Sequence, residues 1–229
     1  MRNIRTEGIV IKRRNYGEAD RILTILTRDH GKISVKAAGV RKITSRRSSH
    51  VELLNHAVLN LYKANAFPVL TEAKMIEDFS PIKNDFEKVG LAYHLCELVD
   101  GLCPDNQENS KVFFLLRNFL TQLAHGDEVL EEAEVQTPAS TYNYLQAEMD
   151  DYTIGTFGIG LRDGASPVEN YRPQKYLSST LQQFEIELLT ELGYWDEKDD
   201  LVKNFDTHDM IESILERKLK SRKIFAKLQ

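Results

Sequence analysis

"TEGIVIKRRNYGEADRILTILTRDHGKISVKAAGVRKITSR", residues 6–46, is the stretch that decides the fold. In its first part, EGIVIKRRN, Ile9 and Ile11 fall on one face of an alternating pattern. In DRILTILTRDHG, Ile22, Thr24 and Leu26 stand opposite Leu23, Ile25 and Thr27. A period of two is the signature of a strand. Asp29-His30-Gly31 reads as a tight connection, with glycine supplying the positive φ that a short hairpin loop uses, and KISVKAA follows as a third strand.

The pattern extends outward from there. HAVLNLYKA (56–64) alternates, NAFP turns, and VLTEAKMIEDF (69–79) alternates again. Five short strands within 80 residues are buried most economically as a small closed antiparallel barrel, and five strands of this size suit an OB-fold. An SH3-like barrel competes on strand count alone. From Pro81 the period lengthens to three and four. Phe86, Val89, Cys96 and neighbouring apolar positions form one helical stripe, with Asn84 or Asp85 to cap its start and Pro104 to stop it. NSKVFFLLRNFLTQLAHG (109–126) predicts a second helix, capped by Asn109 or Ser110 and followed by Gly126. LQQFEIELLTELGYW (181–195) and HDMIESILERKLKSRKIF (208–225) predict two more. The expected architecture is therefore α+β: a five-stranded OB-fold barrel over 1–80, then an all-helical domain over 81–229. Between 127 and 176 an acidic run and a Gly- and Pro-containing stretch predict a turn-rich segment. Its Gly155, Gly158 and Gly160 match neither nucleotide-binding fingerprint.

Charge divides at the same boundary. The whole chain of 229 residues carries a formal −5, but residues 1–80 hold 15 Lys and Arg against 8 Asp and Glu, while 81–229 hold 15 against 27. The basic first unit suits a polyanionic partner. No apolar run reaches the roughly 20 residues of a membrane-spanning helix, and the N-terminus lacks a signal-peptide core, so a cytoplasmic protein is expected. Cys96 and Cys103 are expected as reduced core residues, too far apart on one helix to bridge.

At this point specific strings carry a resemblance. The Tyr16-to-Arg21 string YGEADR, the His30-Gly31-Lys32 that follows it, the basic residues after Gly39, LTEA at 70–73, AYHLCELVDGLCP, ELLTELGYW and the terminal LKSRKIF together resemble the RecO family of bacterial DNA repair and recombination mediators. The resemblance implies an OB-fold followed by a helical domain, binding to single- and double-stranded DNA, strand annealing, and loading of RecA recombinase onto strands coated with single-strand-binding protein, with RecR as partner. Many relatives hold zinc through cysteines after the segment matching LGYW. Here 196–210, DEKDDLVKNFDTHDM, contains none, so no zinc and no cofactor is expected.

From His30 to Val51 there is no Asp or Glu. Lys32 and Lys36 alternate on the third strand, and Arg41, Lys42, Arg46 and Arg47 occupy the loop that follows, where side chains can reach phosphates. Thr44, Ser45, Ser48 and Ser49 add short donors. Arg13 and Arg14 are further candidates, with Arg21 open to pairing with Glu18 or Asp20. A second cluster, Arg217, Lys218, Lys220, Arg222 and Lys223, either terminates a helix or extends the DNA track. Of the aromatics, Tyr16, Tyr62 and Phe67, Tyr62 is expected in the core. Few stacking groups and many cations imply binding dominated by phosphates. An enzyme is not expected: the EMDD and DEKDD carboxylates read as solvated surface, and no histidine sits in a nucleophile setting. The alternative reading is a protein-interaction scaffold, with a pocket around Phe113 to Leu123 and Phe184 to Leu192 and Arg117 as a local cation.

Overall fold

In the computed structural model five strands, β1 (Asn3–Tyr16), β2 (Asp20–Thr27), β3 (Gly31–Ala37), β4 (His56–Tyr62) and β5 (Val69–Glu77), close into a barrel in the order β1-β2-β3-β5-β4. The structure describes residues 3–63, 67–126, 174–195 and 206–221, with side chains in the third segment from residue 180. β1, with 14 residues, serves two neighbours: Asn3 to Ile9 pair with β4, and Gly8 to Tyr16 pair with β2. A register shift between Val10 and Lys12 bends the strand from one neighbour towards the other. The barrel closes through a short parallel contact, Lys36 opposite Val69. A meander alone would give only antiparallel neighbours. This order, with its parallel closure, is the Greek-key barrel of the OB-fold and not the SH3-like alternative.

Two buried clusters explain the blurred alternation of the first two strands. Val10, Leu23, Ile25, Ile33, Val35, Leu59, Leu61 and Leu70 fill the barrel interior, closed by Val40 and Val51 from the β3–β4 connection. Ile9, Ile11 and Leu26 point the other way, yet they are equally buried, because helices cover that side of the barrel. Strands packed on both faces read as near-continuous apolar runs, which is how IVI and ILTIL arise.

Among the described residues the helices are α1 (Ser80–Lys83), α2 (Phe86–Leu102), α3 (Ser110–His125), α4 (Gln174–Glu191) and α5 (Thr207–Leu215). Three of these starts have a side-chain acceptor for orphan N–H groups: Asp85 receives the amides of Glu87 and Lys88 at α2, Asn109 that of Val112 at α3, and Asp206 that of His208 at α5. Gly126, at φ 80°, ends α3. Phe119 and Phe184 meet edge to face at 5.1 Å between α3 and α4. Burial pushes the free thiols of Cys96 and Cys103 up, to about 12 and about 11, as expected of inert core residues. The expected long helix over 208–225 is cut short. Glu216 adopts left-handed backbone at φ 51° and α5 stops at Leu215. The following residues turn back, so that the amides of Lys220 and Ser221 donate to the Glu97 carboxylate at 2.9 and 2.8 Å.

The helical layer is keyed to the barrel by polar contacts as well as by apolar packing. Lys12 reaches Asp100 at 2.6 Å, Lys83 donates to Asn55 at 2.5 Å, and His125 meets Glu77 at 3.0 Å. The amide of Asn106, in the α2–α3 connection, donates to the Lys32 carbonyl at 2.8 Å. Gly31 sits under the same connection with φ +64°, and a Cβ there would lie 1.8 Å from the Gln107 carbonyl oxygen. One end of the β2–β3 face is thus closed off by the helical half.

Candidate nucleic-acid interface

The basic β3–β4 connection is a folded structure held by successive turns. The Arg41 amide donates to the Ala19 carbonyl at 2.9 Å, Lys42 to Gly39 at 3.2 Å, and Ser45 to Lys42 at 2.9 Å. The Asp20 carboxylate accepts the Gly39 amide at 2.8 Å and pairs with Lys36 at 3.0 Å, and these contacts hold its carboxyl below the ordinary aspartate range. Arg47 fastens the far side. Its guanidinium donates to the Leu70 carbonyl at 2.6 Å and the Ala38 carbonyl at 2.8 Å, joining the exit of β3 to β5. That latch sets the neighbouring Arg46 beside the outer surface of β5.

There a groove of about 540 Å³ runs over the outer face of β1, β4 and β5. Strand register builds it. Arg5 lies opposite Asn60, which lies opposite Glu72, and in the next row Val58 lies opposite Lys74. Arg46, Arg47 and His50 come in from the basic connection. Five basic side chains (Arg5, Arg46, Arg47, His50 and Lys74) therefore share the groove with one carboxylate, Glu72, which accepts from Asn60 Nδ2 at 2.8 Å. Arg5, Arg46 and Lys74 are exposed and make no ion pair among the described residues. A second hollow of about 320 Å³, lined by Asn3, Ile4, Arg5, Asn60, Thr71 and Glu72, continues the groove. Tyr62 follows Asn60 by two along β4, on the same outer face, and is 51% exposed. The expectation that Tyr62 belongs to the core is corrected: Leu59 and Leu61 point inward, so Tyr62 must point out.

The residues named from the sequence divide into several groups. Arg46 and Arg47 line the groove, Arg47 with its guanidinium turned to backbone carbonyls. Arg41 and Lys42 are exposed at the β1–β2 end of the barrel, where Arg41 also donates to the Gly17 carbonyl at 3.1 Å. Arg14 is exposed without an ion pair among the described residues, whereas Arg13 is held by Glu52, which also takes Arg21 at 2.8 Å. Lys36 lies against the Tyr16 ring, 5.3 Å from its centroid, and pairs with Asp20.

Lys32 is a correction. Its side chain is 8% exposed, its ammonium donates to the Asp100 carbonyl and stands 3.3 Å from Asp105, and it belongs to the seam between barrel and helices. A lysine so enclosed cannot reach a nucleic-acid backbone. Arg217 pairs with Glu97 at 3.3 Å, and Lys220 is exposed beyond the end of α5, not on a helical turn. Arg222 and Lys223 lie outside the described residues, as does the segment 127–173. The scaffold pocket expected between 113–123 and 184–192 is occupied by packing: Phe113, Leu116, Leu120, Phe184, Leu188 and Leu189 are all buried, and Arg117 lies over the Phe114 ring at 5.0 Å. Arg5, His50 and Lys74 were not singled out from the sequence. The only signal for Arg5 and Lys74 is their place on the outward-facing positions of strands.

The family description "Recombination protein O N terminal" matches residues 1–79, the barrel, and "Recombination protein O C terminal" matches 83–136, from the start of the helical half. The chain belongs to the RecO family. Its similarity to "DNA repair protein RecO" of Roseiflexus sp. (strain RS-1) is 39% identity over 172 residues, 75% of this chain and 52% of that one. The same description holds for relatives from Heliobacterium modesticaldum, 42% identical over 106 residues (46% of this chain, 39% of that one), and Pelotomaculum thermopropionicum, 34% over 127 residues (56% and 50%). This RecO-family chain spans about half the length of the curated relatives it matches. Among its described residues no helix is long and apolar enough to cross a membrane.

Proposed function

We propose that this RecO-family chain is a non-enzymatic DNA repair and recombination mediator. It binds single- and double-stranded DNA without sequence preference and brings complementary strands together. The observation that carries the reading is the groove over β1, β4 and β5, where Arg5, Arg46 and Lys74 project without an ion pair among the described residues and Tyr62 stands in line as a stacking platform. Cations along a groove track phosphates, and an aromatic face accepts any base. Neutralising phosphates also lowers the repulsion that keeps two strands apart, which supports annealing. The relatives, each a DNA repair protein by name, support the repair role. The family resemblance supports RecR and single-strand-binding protein as partners, RecA as indirect beneficiary, and a place on the nucleoid.

Fluorescence-anisotropy titration of unrelated single- and double-stranded oligonucleotides at several salt concentrations tests the reading. The expected result is similar affinity for all sequences of one length, with log Kd linear in log salt at a slope of about 0.7 to 0.9 per phosphate contacted. Affinity that ignores salt, or no binding at low salt, contradicts it and leaves a protein-binding scaffold as the better reading.

A further inference from the structure

Away from the groove, α2, α4 and α5 bring His94, Glu185 and His208 together, with one ligand atom of each lying within 4.8 Å of the others. His94 Nε2 stands 3.0 Å and His208 Nδ1 2.9 Å from the same carboxylate oxygen, Glu185 Oε1. The side chains of His94 and Glu185 are 0% and 1% exposed, and that of His208 is 25% exposed. Thr207 donates its hydroxyl to the second Glu185 oxygen at 2.5 Å. Nothing in the DNA reading uses this cluster.

Ser221 Oγ lies 2.6 Å from His94 Nδ1, and the Ser221 amide donates to the Glu97 carboxylate at 2.8 Å. His94 Nε2 faces Glu185 Oε1 at 3.0 Å, so one nitrogen of each histidine converges on a single carboxylate shielded from water, where a positive charge is favoured. A metal ion can supply it, and the arrangement has the features of such a site: two imidazoles, one carboxylate, and an outer hydrogen bond between Ser221 and the second nitrogen of His94 that orients this ring.

We propose that His94, Glu185 and His208 form a divalent transition-metal site, of the zinc class, that ties α2, α4 and α5 together. Nitrogen donors with a single carboxylate select zinc and its neighbours over magnesium or calcium, which take oxygen ligands. Ligand atoms about 2.0 to 2.2 Å from a tetrahedral ion stand roughly 3.4 Å apart, so the observed 2.9 and 3.0 Å separations widen by a few tenths on binding. The two rings are nearly parallel, 15° between planes and 5.2 Å between centroids. Of the three side chains only that of His208 is partly exposed, at 25%, so the site is reached from that side.

The test uses the full chain, stripped with a chelator, dialysed, and titrated with Co²⁺ and then Zn²⁺. One equivalent of Co²⁺ is expected to give the visible d–d band of a four-coordinate site, Zn²⁺ to displace it, and either ion to raise the melting temperature. His208→Ala is expected to weaken binding by more than about 100-fold, and Ser221→Ala, which removes only the outer hydrogen bond, by about 10-fold. A folded stripped chain that shows neither band nor melting shift in excess metal overturns the proposal, and the cluster then holds only a proton. A band of unchanged intensity in His208→Ala overturns it equally.

Discussion

Replacing Arg5, Arg46 and Lys74 together by alanine is expected to lower affinity for DNA by about three orders of magnitude at 50 mM salt, and to flatten the salt dependence by about 2 to 3 in slope. The figures follow from counterion release. Each phosphate contact contributes about 0.7 to 0.9 to the slope of log Kd against log salt, so three contacts together dominate binding at low salt and fade as salt approaches 1 M. The three cations suit the experiment because they are exposed, lack ion pairs among the described residues, and approach one groove from β1, from the basic connection and from β5. Their removal leaves no buried carboxylate unpaired, so the fold should survive with an unchanged melting temperature. Equal losses from changing Arg14, Lys42 and Lys218, exposed cations outside the groove, would show that affinity follows net charge and not this surface.

The second large effect concerns stability. Gly31→Ala is expected to cost about 3 kcal/mol or more, because it combines two penalties at one position. The backbone at φ +64° disfavours any side chain, and the new Cβ would fall 1.8 Å from the Gln107 carbonyl oxygen and 2.5 Å from its carbonyl carbon. Main chain, unlike the end of a flexible side chain, must move as a segment. The α2–α3 connection would lift from the barrel and loosen the Lys32 contacts to Asp100 and Asp105. Gly17→Ala is the control. It shares the positive φ, +60°, but nothing lies within 4 Å of the added Cβ, so only the local strain of about 1 kcal/mol applies. Thermal melts of both variants measure the difference, which should amount to several degrees for a chain of this size. Equal melting temperatures would mean that the connection does not brace the barrel.

How much of this was legible in the sequence depends on the range over which each feature is determined. The hairpin at Asp29-His30-Gly31 is local: Thr27 takes the His30 amide at 3.1 Å and gives its own hydroxyl to Gly31, all within five residues. The caps at Asp85 and Asn109 and the stop at Gly126 are equally local, and each was readable from residue type and spacing. A closed five-stranded barrel was reachable from strand number and length, but its order, with the parallel β3–β5 closure that separates it from the SH3-like alternative, was not.

Features that depend on distant partners were not readable. Lys32 looks like any lysine on a strand, and its burial is decided by Asp100, 68 residues away. Arg5 and Lys74 become neighbours of Arg46 only through the β1–β4 and β4–β5 registers and the carbonyl latch of Arg47. Tyr62 was assigned inward because aromatic residues on strands usually are, but Leu59 and Leu61 claim the interior and leave it outside. The helix expected over 208–225 failed at Glu216, where the Glu97 carboxylate, well over 100 residues earlier, captures the amides that follow. His94 and Glu185 stand 91 residues apart, with no spacing motif to join them.

The location of the DNA track is tested most directly by amide chemical-shift mapping of the chain during titration with a short oligonucleotide. The account predicts the largest shifts along Asn3 to Glu7, Val58 to Tyr62 and Thr71 to Lys74, with Arg46 and His50, and little change at Lys32 or at Phe113 to Leu123. Shifts concentrated on the helical half, or on β2 and β3 with the β1–β4–β5 face silent, would contradict it.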